Sequence, residues 1–77
     1  MQNTNNAAMN RHLADFKNYL KIASNYSLAG NMERTEYYLV EADRARDDAY
    51  RAANGQFPEL FAEMAKQVSA ARRELLT

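Results

Sequence analysis

Residues 19–42 read YLKIASNYSLAGNMERTEYYLVEA, a helical pattern on each side of Ala29-Gly30-Asn31. Glycine has no Cβ, so Gly30 suits the left-handed position that ends a helix. Asn31 suits the N-cap of the next helix, where its side-chain oxygen accepts a hydrogen bond from an otherwise unpaired backbone N–H. The stretch therefore predicts two helices folded back on each other through a tight turn.

Upstream of the turn, Met9, Leu13, Phe16, Leu20 and Ala23 recur at three- and four-residue steps, which predicts one helix over residues 7–29. A second stripe, His12, Tyr19, Ile22 and Tyr26, lies beside the first. Together they make a wider apolar sector than an outer helix of a bundle needs. Two readings follow. Either helix 1 is sandwiched between two others, with both stripes in the core, or the tyrosine stripe faces a partner or a second copy, tyrosine being enriched at interfaces.

Downstream, a helix is predicted over residues 32–54 and ended by Gly55, with Met32, Thr35, Leu39, Ala42, Ala45 or Arg46, Ala49 and Ala53 facing inward. Its second half is rich in alanine, which allows close helix approach but buries little area per residue. That half is either packed tightly against a third helix or is the weak end of the domain. Arg44–Asp48 and Asp47–Arg51 are spaced for i,i+4 ion pairs worth a few tenths of a kcal/mol each.

Gln56-Phe57-Pro58 is the second connection. Proline fits the first turn of a helix and pushes the residue before it toward extended geometry. Phe57, Phe61, Met64, Val68, Ala71 and Leu75 then hold a strict 4-3-4-3-4 spacing, which predicts a third helix over residues 58–76. The fold class is all-α, a three-helix bundle made of an antiparallel hairpin and a third packing helix. One domain is expected over residues 7–77, after a flexible tail over residues 1–6.

The 77 residues include no cysteine, so no disulfide or thiolate metal site is available. A core this small often needs a further staple, and self-association, as a homodimer, is the expected one. Ten basic and ten acidic residues cancel, which argues against a nucleic-acid binder, whose affinity comes from neutralising phosphates. The longest apolar run is far short of a membrane span, and the first ten residues lack the features of a secretory signal. A cytoplasmic protein is expected.

No catalytic signature emerges, and no enzymatic activity, cofactor or metal is expected. His12 with Asp15 is at most half a metal site, because no second histidine completes it. Gly30 and Gly55 are single glycines at helix ends, not a phosphate-cradling loop. Carboxylates are plentiful, but they fall on solvent faces, whereas acid–base chemistry needs a desolvating cleft.

The hairpin resembles a single tetratricopeptide unit, with Tyr19, Ile22, Ala23 and Tyr26 at the first-helix positions, Gly30-Asn31 at the turn, and Thr35, Leu39 and Ala42 on the second helix. No proline follows the second helix, both helices exceed repeat length, and there is no second copy of the unit. In size, with Ala29-Gly30-Asn31 at the turn and Ala71-Arg72 late in helix 3, the chain also resembles the microtubule-interacting-and-trafficking class of three-helix domains. That resemblance implies a groove between helices that receives a short amphipathic peptide or helix.

The function expected is a small protein–protein interaction module, either an adaptor or an inhibitor. Tyr19, Ile22 and Tyr26, with Tyr37 or Tyr38, would supply aromatic anchors, and Arg44, Arg46 and Asp47 a polar rim. One alternative is an inhibitor of a host complex, of the kind phages and mobile elements encode. Another, of a different class, is a small dimeric nucleic-acid-binding regulator that assembles a basic ridge from Arg72 and Arg73.

Overall fold

The computed structural model describes residues 5–77, and among them three helices form an all-α bundle: α1 (Asn6–Leu28), α2 (Met32–Ala53) and α3 (Pro58–Leu75). The tail expected over residues 1–6 lies mostly outside the described residues. Asn5 and Asn6 are described: Asn5 is the N-cap of α1, and Asn6 is its first residue. The Asn5 side chain caps α1 by accepting from the Ala8 N–H at 3.1 Å, while its backbone N–H donates to the Ala52 carbonyl at 3.0 Å. The start of α1 is thereby tied to the end of α2.

The turn that sets the hairpin is closed on both sides. Gly30 is left-handed at φ 79°, and the Gly30 and Asn31 N–H groups reach back to the Ser27 and Tyr26 carbonyls at 3.0 and 2.9 Å. This is the double-bonded Schellman ending, which satisfies carbonyls that a helix end otherwise leaves unpaired. Asn31 then caps α2 through its side-chain oxygen and the Arg34 N–H at 3.1 Å. Thr35, one turn in, is fully buried, and its hydroxyl donates to the Asn31 carbonyl at 2.8 Å.

The second connection differs from expectation at two residues. α2 stops at Ala53, one residue early, because Asn54 takes the first left-handed position (φ 53°) ahead of Gly55 (φ 87°). Asparagine tolerates that region better than other residues with a Cβ. Phe57 is not extended but left-handed as well, at φ 58° and ψ 48°. Proline excludes the right-handed helical region for its predecessor, and a four-residue connection that must reverse the chain leaves little room for an extended residue. The outcome also removes Phe57 from the inward stripe. Its ring is about half exposed, at 48%.

Helix 1 does not lie between the other two. α2 is the common partner: α1 packs along its length, α3 packs on it more narrowly, and α1 and α3 barely meet. The alanines make this possible. Ala42, Ala45, Ala49 and Ala53 are buried in one cluster with Met9 and Phe16 from α1 and Phe61, Met64 and Val68 from α3. Small side chains on the central helix let larger ones from both neighbours close over it, so the alanine-rich half is a packed spine and not the weak end. A substitution tests this. Ala49 is fully buried, so Ala49→Leu should overpack the spine and cost about 1–3 kcal/mol in a denaturant melt, whereas a loosely packed end would gain stability from the added apolar area.

Two contacts fasten α3 along the hairpin. Arg72 pairs with Glu36 at 3.3 Å, and the Ser27 hydroxyl donates to the Leu75 carbonyl at 2.8 Å. The second bond supplies a partner to one of the carbonyls that the end of α3 leaves free. α3 therefore runs antiparallel to α2 and in the same direction as α1.

Candidate functional site: a tyrosine face on the hairpin

Antiparallel pairing brings tyrosines from both hairpin helices together. The Tyr38 ring lies between two rings of α1, stacked on Tyr26 (centroids 5.6 Å apart, planes 5° apart) and on Tyr19 (6.0 Å, 29°). Tyr37 meets Tyr38 edge to face, at 5.0 Å and 89°. Offset-stacked and edge-to-face pairs are the arrangements that the ring quadrupole favours, and each adds about 0.5–1.5 kcal/mol beyond the area it buries. The Arg34 guanidinium carbon sits 5.7 Å from the centroid of the Tyr26 ring, within cation–π range.

The cluster is graded from inside to outside. Tyr19 packs against the core, Tyr26 and Tyr38 are half-buried, and Tyr37 is 57% exposed. The reading that sandwiches helix 1 between two others does not hold: Tyr19 and Tyr26 are covered by Tyr38 of α2. Tyr19, Tyr26 and Tyr38 zip the two helices together, while Tyr37 faces outward from the zip. Glu33, Arg34, Tyr37 and Tyr38 line a shallow, open hollow of about 470 Å³ at the hairpin end. Ile22, half-buried on α1, lies between Tyr19 and Tyr26 in sequence and on the same side of that helix.

The three charged residues expected at the rim do not stay together. At 100° per residue, Arg44 leaves α2 on the Tyr37 side, Asp47 about a quarter-turn away, and Arg46 on the opposite side. Each is held within α2: Arg44 to Glu41 at 3.6 Å, Arg46 to Asp43 at 2.9 Å, and Asp47 to Arg51 at 3.1 Å. The Asp47–Arg51 pair has the expected spacing. Arg44 turns back to Glu41 and does not reach forward to Asp48, in keeping with the better geometry of an acid placed N-terminal to its base.

Elsewhere the surface offers less. His12 is half-buried on α1, and among the described residues no group of three His, Asp or Glu side chains is placed to hold a metal ion. Arg72, one half of the suggested basic ridge, is paired with Glu36. No described helix is long and apolar enough to cross a membrane. A second apolar concavity, about 300 Å³, opens between α1 and α3 where the two helices fail to close, lined by Leu13, Phe16, Lys17 and Leu20 on one side and Leu60, Glu63, Met64 and Gln67 on the other. No sequence signal pointed to it, because it follows from α2 and not α1 being the central helix.

Comparison with protein-family models, with curated proteins and with solved structures finds no match to this chain. The chain is a three-helix bundle, and no match supports a likeness to the tetratricopeptide or the microtubule-interacting-and-trafficking class.

Proposed function

We propose that this chain is a non-catalytic protein–protein interaction module, and that the tyrosine face of its hairpin is the surface that meets the partner. The observation that supports the reading is the setting of Tyr37: a large ring 57% exposed, yet fixed edge-on by a neighbour that is itself stacked on both sides. Ordering side chains is one of the main costs of association, so rings already held in place bind at a lower entropic cost. Tyrosine and arginine are also the residues that most often carry interface energy, and Arg34 and Arg44 stand on either side of Tyr37 along α2. A module of this kind acts either as an adaptor or as an inhibitor that covers a working surface of a larger protein. The same reading has the chain acting as a homodimer, since without cysteine a second copy is the remaining way to enlarge a small core.

The outward and inward tyrosines should separate under mutation. Tyr37→Ala is expected to weaken partner binding by about 2 kcal/mol or more, roughly thirtyfold, as interface hot spots do, with a melting temperature within a few degrees of the parent. Tyr38→Ala is expected to lower the melting temperature, because it removes the ring shared by three contacts. Binding by Tyr37→Ala at parental affinity, to a partner captured from the cell that makes the protein, would remove the tyrosine face from the reading.

A further inference from the structure

The cleft between α1 and α3 has an electrostatic asymmetry that its apolar floor does not require. Leu13, Phe16, Leu20, Leu60 and Met64 make the floor, and Leu60 is 41% exposed. One lip is basic: Lys17 lines the cleft on α1, and Lys21 follows one turn later. The other is acidic: Glu63 lines it on α3, with Glu59 one turn earlier. Among the described residues none of these four has an ion-pair partner within 4 Å. Of the charged residues that line this cleft, Lys17 stands on one lip and Glu63 on the other, while Lys66 and Arg73 lie beside Glu63 on the outer side of α3.

We infer that the α1/α3 cleft is the face through which two copies of this chain pair, about a two-fold axis parallel to the helices. This names the surface for the dimer put forward above and rests on that reading. α1 and α3 run in the same direction, and Lys17 and Glu63 lie at the same level of the cleft. A two-fold axis along the cleft sets α1 of each copy over α3 of the other without changing that level. Lys17 of each copy then faces Glu63 of its mate, twice, as an isologous interface requires. Between the charged lips, the two apolar floors close on each other as the centre of a four-helix arrangement, with both α2 helices outside. The tyrosine face is left free: Tyr19 and Tyr26 leave α1 roughly a third of a turn away from Leu13 and Leu20 and about half a turn away from Lys17. A two-fold axis perpendicular to the helices would instead set Lys17 toward the basic lip of the other copy, which the charge pattern disfavours.

Sedimentation equilibrium of the full chain at about 10–200 μM tests this with five variants. The parent is expected to approach twice the 8.8 kDa chain mass. Lys17→Glu and Glu63→Lys should each weaken the dimer about tenfold by placing two like-charge pairs across the interface, and the double swap Lys17→Glu/Glu63→Lys should recover most of that loss. Leu60→Glu should leave a folded monomer, since an acid in the first turn of α3 suits the helix dipole, and helical circular dichroism confirms that it folds. A parent that is monomeric throughout overturns both the dimer and this face. A dimer that survives Leu60→Glu and both charge reversals, and dissociates on Tyr37→Ala, overturns this face alone.

Discussion

Phe61→Ala is expected to cost about 3–5 kcal/mol, the usual toll of removing a buried aromatic, and to lower the melting temperature by about 15–30 °C in a domain of this size. Phe61 is 3% exposed, meets Tyr50 edge to face at 5.5 Å, and reaches the cluster formed by the α2 alanines. α3 fastens to the hairpin over a narrow contact whose buried side chains are Phe61, Met64 and Val68, and Phe61 is the largest of them. Because the total stability of 77 residues is only about 4–12 kcal/mol, the loss is a large share of it. Circular dichroism melts of parent and variant measure it. A cost below about 1 kcal/mol would mean that α3 contributes little to the fold and that the hairpin stands alone.

Leu39→Ala is expected to cost about 2–5 kcal/mol. Leu39 is fully buried, one of the two largest side chains among the described residues that are, and truncation leaves a cavity in a well-packed interior. Its neighbours on the same face of α2, Thr35 and Ala42, are also fully buried, so little side-chain bulk on that face is free to collapse into the space. The cost should therefore fall in the upper half of the range. Urea titration gives the value. The same variant also separates packing from recognition: corrected for the folded fraction, its partner affinity should equal that of the parent, since Leu39 is absent from the surface.

Most of the fold was legible because local chemistry determined it. Gly30 and Asn31 act as the left-handed ending and the cap that their residue types imply, and the stripe through Phe61, Met64 and Val68 is buried as its spacing implies. The packing order was not legible. Hydrophobic periodicity ranks helices by apolar bulk, which favoured α1 with its two stripes; the actual centre is α2, chosen by the smallness of its alanines, which lets both neighbours approach. Phe57 was misplaced for a related reason. Its position in the stripe was visible, but its backbone conformation is set by how far the connection must turn. For the candidate site, the residue types were readable and their partners were not. A helical wheel puts Tyr19 and Tyr26 on one face, whereas the antiparallel register fixed at Gly30-Asn31 puts Tyr38 between them and leaves Tyr37 outside. Arg46 left the expected rim because its position on α2 points it away from Tyr37.

Tyr37 and its surroundings form the surface proposed to touch another protein. The most direct measurement places a photo-crosslinking phenylalanine analogue at position 37, and at Lys66 on the exposed side of α3 as the control, in the cell that makes the protein. Illumination is expected to give a discrete adduct from position 37, larger than two copies of the chain and absent from position 66. Illumination that leaves position 37 without an adduct, or gives the same adducts from both positions, would contradict this proposal.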